Sequence, residues 1–459
     1  MTRAARLLTV LLLTGCAQTP LPGLKPGDVP AGFEQAHGNA PIWPTPEWWN
    51  GFGTPELSGL EKTVRENNLD IAQASSRLAQ ADARARQAGA SLLPTLSLNS
   101  SSTYSYGQSS GTSGHETDFM LGLGASYELD FWGKNRAATD SAQASLQASA
   151  ADRATVALTA SSATANAYFQ LLSLRERIVL ARDNIESAES ILNVVQRRVT
   201  AGYSPNVDLA QARADLAAQR AGLPPLEQQE LETRTALAIL LGRPPEAFMV
   251  ATTSLSGITV PAVAPGLPSE LLQRRPDITR AENDLAAAHA DVAAARAAML
   301  PGITLTANGG LQNPALNAAV LTLGGTGLGV SIGAALVQTI FDGGKLRAKT
   351  AEAQAREEEL LAAYRSVVFG AFADVENALG NLDHLASQES ALTEQVSQAE
   401  RALSGAQRRY TAGGADFLVV TDAQRILRTA RDQLSEVKRA RLTASVTLFR
   451  VLGGGWDVH

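Results

Sequence analysis

The sequence predicts a mixed α and membrane β fold, with long antiparallel helices and four β-strands, in a chain built of two similar halves. Three observations carry this. Leu69-Asp70-Ile71 returns as Pro276-Asp277-Ile278, Leu93-Pro94 as Leu300-Pro301, Asp130–Lys134 loosely as Ile340–Lys345, Thr200-Ala201-Gly202 as Thr411-Ala412-Gly413, and Leu241-Gly242 as Leu452-Gly453. The offset grows only from 207 to 211, so the halves align end to end. A period this long marks a duplicated supersecondary block rather than a solenoid, and the shared marks are Gly and Pro punctuators rather than common alanines. Second, residues 134–201 contain no Gly and no Pro. Third, four segments alternate apolar with small or polar residues.

The chain starts with a targeting pattern. Arg3 and Arg6 precede the apolar run Leu7 to Leu13, which is too short to span a bilayer as a helix. The run ends in Leu13-Thr14-Gly15-Cys16, a bacterial lipobox pattern whose cysteine thiol takes diacylglycerol and whose amine takes an acyl chain. Cys16 is the only cysteine of the 459 residues, so it forms no internal disulfide. Two or three acyl chains anchor firmly, at roughly 0.8 kcal/mol per buried CH₂. Residues 1–15 are therefore read as a lipoprotein signal peptide and 16–55 as a lipid-anchored, Pro/Gly-rich extended linker along the body. Trp43, Trp48 and Trp49 at its end are read as packing anchors. Net charge is −6, or −8 once Arg3 and Arg6 leave with the leader. That excludes the basic face a nucleic acid requires. Aromatics are only 5% of the chain, so its helix contacts are thin.

Residues 56–241 form the first repeat and 276–452 the second, joined by 242–275 and followed by a tail, 453–459. Each repeat opens with a helical stretch, 69–92 or 276–299. Each then has a hairpin, 94–131 or 301–341. Residues 134–201 would make a helix about 100 Å long at 1.5 Å per residue. The mirror segment 345–412 has no Pro, though Gly370, Gly380 and Gly405 soften it by about 1 kcal/mol each. Returning helices occupy 205–241 and 416–452, and Pro224-Pro225 are expected to break or kink the first. Ile178, Ile185, Ile191, Leu192, Val195 and Val199 fall near heptad spacing, which suits either a coiled-coil rod or helices wound side by side into a tube.

The strands favour the tube. Leu121, Leu123, Ala125, Tyr127 and Leu129 alternate with Gly122, Gly124, Ser126 and Glu128, and Val330, Ile332, Ala334 and Leu336 alternate with Gly329, Ser331, Gly333 and Ala335. Such a strand fits a barrel wall between lipid and water, and each run reaches the 9–11 residues a tilted membrane strand needs. A soluble half-buried sheet fits the alternation equally. Four strands cannot close a barrel, and lipid tolerates no open edge. Several chains must then share one; three give twelve strands.

Taken together, the lipobox at Cys16, Trp48-Trp49 before Phe52-Gly53, Arg274-Arg275-Pro276-Asp277-Ile278, the twin Leu-Pro strand openers and Leu240-Leu241-Gly242-Arg243-Pro244-Pro245 resemble TolC-type outer membrane factors of the lipidated efflux-channel branch. The resemblance covers almost the whole chain. It implies a homotrimer in the outer membrane lipid, with a shared 12-strand barrel, a periplasmic α-barrel of twelve helices, and an equatorial domain from the termini and the 242–275 connection. It implies a passive exit duct of a tripartite efflux system for drugs or other small molecules. Its partners would be a periplasmic adaptor (membrane fusion) protein and an inner-membrane pump of the RND type. The rival reading is a lipid-anchored periplasmic coiled-coil scaffold without a pore.

The resemblance also assigns site residues. Leu418, Asp422 and Arg425, spaced i, i+4, i+7 on one helical face, match a pore gate: an apolar ring, a carboxylate ring, then a basic residue. Such rings bias a pore toward cations, and the arginines help hold clustered carboxylates ionised. The other reading of Asp422 and Arg425 is an ordinary surface ion pair, worth under about 1 kcal/mol. Asp208 and Tyr410 match a turn lock of the non-lipidated branch, but the arginine that completes it falls at Ala415. Ala201, Gly202, Ala412 and Gly413 match adaptor-facing turns; Gly202 and Gly413 also read as helix C-caps. Enzyme signals are poor. The histidines at 37, 115, 289, 384 and 459 lack metal-ligand spacing. Gly324–Gly329 is followed by no Lys-Ser/Thr and reads as a barrel turn. No cofactor is expected apart from the covalent lipid at Cys16.

Overall fold

The computed structural model describes residues 23–25, 27–36, 42–109, 112–246, 248–313 and 327–456. Cys16 and the leader lie outside them, as do His37, His459 and Gly324 to Thr326 of the glycine-rich turn. A 3₁₀ turn, Trp48–Phe52, leads to α1 (Pro55–Asn67), α2 (Leu69–Ala90), β1 (Thr95–Ser109), β2 (Thr112–Leu129), α3 (Lys134–Thr200) and α4 (Asn206–Leu240). Then follow α5 (Pro268–Arg274), α6 (Pro276–Ala297), β3 (Gly302–Asn313), β4 (Gly327–Val337), α7 (Lys345–Thr411) and α8 (Phe417–Val451). The two longest helices are both 67 residues and the returning helices both 35, so the duplication survives in length. Among the described residues no helix is long and apolar enough to cross a membrane.

The chain divides into two compact units, each taking matching pieces of both repeats. One comprises 79–148 and 281–365 with residues 23–25; the other comprises 27–78, 149–280 and 366–456. The first holds an antiparallel sheet in the order β1-β2-β3-β4. Each hairpin was legible, but the pairing of β2 with β3 joins the repeats into one sheet. Its register places Leu98 opposite Leu123, Ala125 opposite Ala307, Leu305 opposite Ala334 and Ile303 opposite Leu336. Directly opposed residues share a face, so the apolar positions of all four strands fall together. The other face carries Ser97, Asn99, Gly122, Gly124, Thr306, Asn308, Ser331 and Gly333. There Gly122 and Gly310 lie so close that a Cβ on Gly310 would stand 2.8 Å from the Gly122 Cα.

In the second unit the chain before α1 is pinned to the helices. The N–H groups of Glu34 and Gln35 donate to the Glu376 carboxylate at 2.6 and 3.0 Å. Trp48 stacks on Phe449 at 5.2 Å, and Trp49 lies under the Arg65 guanidinium at 4.4 Å. Both indoles are buried with Phe52, Leu57, Phe169, Leu237, Phe248 and Leu255, so the segments around 50 and 250 share a core with α3 and α8. The Ala-rich helices below are stitched by ion pairs. Arg220–Glu189 and Arg431–Glu400, both 2.6 Å, are one pair repeated at an offset of 211.

Elsewhere the repeats solve one problem with different chemistry. Asn68 caps α2, accepting from the N–H groups of Asp70 and Ile71 at 2.9 and 3.0 Å, and donates to the Leu240 carbonyl at 2.8 Å. Its counterpart is Arg275, which donates to the carbonyl of Val451, the counterpart of Leu240, at 3.3 Å. Arg275 also pairs with Asp277 at 2.6 Å and Asp374 at 3.2 Å. Burial alone would raise the Asp277 carboxyl, but the hydrogen bonds and charge of Arg275 outweigh it and hold it below the usual range.

Helices α4 and α8 both end in a glycine of positive φ, Gly242 at 65° and Gly453 at 91°. A Cβ there would lie 2.2 Å from the Asn67 carbonyl oxygen and 2.0 Å from that of Arg274. Gly453→Ala is expected to cost at least about 1–2 kcal/mol from the left-handed backbone alone, with the clash added. A lowered thermal midpoint of the detergent-solubilised protein checks it.

Of the break or kink expected at Pro224 and Pro225, the break is absent: α4 runs as one helix from Asn206 to Leu240. The prolines free the carbonyls of Arg220 and Ala221, and both residues are exposed, so solvent can reach them.

Candidate functional site

The two turns between long and returning helices are built alike. At the first, the Gly202 N–H donates to the Val199 carbonyl at 3.0 Å and the Tyr203 N–H to the Arg198 carbonyl at 2.8 Å. At the second, Gly413 donates to Tyr410 at 3.0 Å and Gly414 to Arg409 at 2.8 Å. These are Schellman caps, with Gly202 and Gly413 at φ 78° and 77°. Ala201, Gly202, Ala412 and Gly413 are all exposed, as a surface for another protein's tip requires.

Behind the turns Val195, Ala212, Ala406, Tyr410, Phe417 and Val420 make a small buried core, with the Tyr410 and Phe417 rings 5.7 Å apart. Burial of Phe417, Val420, Gln424 and Leu427 fixes the inner face of α8. Leu418, 66% exposed, and the exposed Asp422 and Arg425 therefore point away from their own chain's core. Arg425 Nη2 meets Asp422 Oδ1 at 2.7 Å. Within one chain this is a helix-surface ion pair, worth under about 1 kcal/mol.

Asp208 and Tyr410 are not joined. The Tyr410 hydroxyl is buried without a hydrogen-bond partner among the described residues. Asp208 lies in the first turn of α4, where a carboxylate complements the helix dipole. The bolt between the two turns is a residue the sequence reading passed over. Arg198 Nη1 donates to the Tyr410 carbonyl at 3.0 Å, its Nε to Ser204 Oγ at 3.3 Å, and its guanidinium lies 4.6 Å from the Tyr410 ring centroid. Such a stack adds about 0.5–2 kcal/mol. The signal was available: arginine stands four residues before both turn glycines, as Arg198 and Arg409.

A hydroxyl lock and this arrangement predict opposite results for Tyr410→Phe. Here the substitution keeps the ring under Arg198 and removes an unpaired hydroxyl, a gain of up to about 1–3 kcal/mol. Unchanged single-channel current with an equal or higher thermal midpoint is the expected outcome.

At the sheet, nothing among the described residues covers the apolar face. Val330 is 73% exposed and Ile332 85%, and Leu96, Leu98, Leu123 and Leu336 are also exposed. A row of large apolar side chains left open on one face, alternating with a small, polar face, suits a strand between lipid and water.

A sheet with one exposed apolar face and, in the same chain, paired long helical hairpins define an outer membrane channel of the efflux class. The model of the outer membrane efflux protein family matches residues 60–243 and 267–454, one stretch in each repeat, and the chain belongs to that family. The pyoverdine export outer membrane protein OpmQ of Pseudomonas aeruginosa is 41% identical over 97% of this chain and 95% of its own. The solved structure of the outer-membrane channel OprN matches with a TM-score of 0.85 at 28% identity, over 95% of this chain and 99% of that one. The open state of the Neisseria gonorrhoeae MtrE outer membrane channel matches with a TM-score of 0.86 at 28% identity, over 95% and 97%. The protein is therefore an outer membrane efflux channel component and not an enzyme, and its fold is that of the TolC-type channels.

Proposed function

We propose that three copies of this chain form the passive exit duct of a tripartite efflux system, carrying drugs or other small molecules from an inner-membrane pump of the RND type and a periplasmic adaptor to the exterior. The observation that carries this is the sheet. It has four strands, an exposed apolar face and outer edges at β1 and β4. Three such sheets, edge to edge, continue the antiparallel alternation and leave no open edge in lipid. The matching 67-residue helices supply a tube of the same multiplicity.

Cys16 carries diacylglycerol and an acyl chain in this reading. Leu418, Asp422 and Arg425 line the narrowest ring, and Ala201, Gly202, Ala412 and Gly413 face the adaptor. The exposure of all these described residues in a single chain supports both assignments. The scaffold alternative leaves the apolar face of the sheet without a purpose.

Asp422→Ala tests the gate in planar bilayers. Loss of the carboxylate leaves Arg425 without its partner, so conductance rises and selectivity moves from cations toward anions. Unchanged currents and reversal potentials count against the ring. A purified lipidated product that stays a lone, non-conducting protomer counts against the duct.

A further inference from the structure

We infer that Arg409 binds the Val199 carbonyl of a neighbouring copy of this chain, bolting the turns together across the subunit seam. The inference rests on the trimeric reading above and on the internal repeat. At the constant offset of 211, Arg198 corresponds to Arg409, Val199 to Tyr410, Gly202 to Gly413 and Ser204 to Ala415. Inside one chain Arg198 reaches from the first turn to the second. The Tyr410 carbonyl thereby takes two donors, the Gly413 N–H at 3.0 Å and Arg198 Nη1 at 3.0 Å.

The equivalent groups on the far sides are unused. The Val199 carbonyl accepts the Gly202 N–H at 3.0 Å and no second donor among the described residues, although a carbonyl oxygen has two lone pairs. Arg409 is exposed, and its guanidinium makes no hydrogen bond or ion pair among the described residues. Nor is it tethered locally as Arg198 is by Ser204, because Ala415 has no hydroxyl. In a ring where first and second turns alternate, each second turn is followed by a neighbour's first turn. The step that carries Arg198 to Tyr410 then carries Arg409 to the partner subunit's Val199.

The two joints are unequal. Arg198 also stacks on the Tyr410 ring at 4.6 Å, whereas valine offers Arg409 no ring. The seam between subunits is thus the weaker joint, and the ring opens there first.

The test places photoreactive benzoylphenylalanine at position 409 of the full-length lipidated protein. Irradiated trimers are expected to give chain-to-chain adducts mapping to residues 196–203. The same probe at position 198 serves as control and is expected to give adducts within one chain, at residues 406–413. Intact trimers with a working control but no chain-to-chain adduct at 196–203 overturn the inference and leave the duct standing. A product without trimers overturns both. In planar bilayers Arg409→Ala is expected to raise conductance or open probability at least about twofold, and Arg409→Lys, which keeps a cation and a donor, to fall between it and the parent. Parental currents from Arg409→Ala overturn the inference.

Discussion

Chains carrying Val330→Lys and Ile332→Lys together fail to assemble in the outer membrane. Both side chains stand exposed on the apolar face of β4, near the middle of its eleven residues. A lysine facing lipid at the bilayer midplane costs about 2–4 kcal/mol. Each chain would carry two, a cost comparable to the whole margin of stability. Ser331→Lys provides the control, because it adds the same charge to the same strand on the opposite, small and polar face. Folded oligomers in outer membrane fractions are the readout. They are expected to vanish for the double variant and persist for Ser331→Lys. Normal oligomers from the double variant would show that this face does not meet lipid.

The second large effect lies in the core of the other unit. Glu61 on α1 is completely buried, and neither carboxylate oxygen has a hydrogen-bond partner among the described residues. Burial pushes its carboxyl up to about 8, against weaker opposing pulls from the nearby Ser161 hydroxyl and the Arg65 charge. The folded protein therefore holds this proton across neutral pH, while the unfolded chain releases it above about 4.5. Its contribution to stability is fully present below the unfolded value and is lost as pH rises through the folded one. The loss runs at about 1.4 kcal/mol per pH unit and totals roughly 3–5 kcal/mol.

Glu61→Gln removes that proton and keeps the volume. The variant is expected to match the parent near pH 5, to exceed it by several kcal/mol at pH 8, and to show a flat midpoint between. Equal pH slopes for parent and variant would refute a buried neutral carboxyl. Glu56, one turn earlier on the same helix, does not blur the measurement. Burial would raise it, but the N–H groups of Ala251 and Thr252 at 2.6 and 3.0 Å and the Tyr168 hydroxyl at 3.2 Å prevail and lower it. Its stabilising effect is lost only as pH falls through that lowered value, below the window in which Glu61 acts.

Much of the architecture was legible because it depends on near neighbours in sequence. The Gly- and Pro-free run from 134 held as one helix to Thr200, and the glycines after both long helices took the left-handed conformation that ends them. The period-2 alternation around Leu123 and Ile332 announced which residues share a face before any strand was paired. Legibility failed where a remote group decides. Pro224 and Pro225 predict a break or a kink, and that the helix runs on depends on the exposure of the preceding turn, which cannot be seen in the sequence. Nor does the sequence display that Arg198 holds Tyr410 from a turn 212 residues away.

The sequence by itself determined the duplication, the lengths of the helices, the positions of their turns and the two-faced character of the strands. Each of these is set by rotation per residue and by backbone freedom at Gly and Pro, which are properties of the local chain. Only the tertiary structure decided that β2 pairs with β3 and that Asn68 and Arg275 serve equivalent carbonyls. The same is true of Glu56 and Glu61 of α1, the first ionised among donors and the second kept neutral by burial. Those outcomes depend on which polar groups a distant segment brings near and on how much water it excludes. Desolvation and hydrogen bonding act through space, and a single chain's order of residues does not display them.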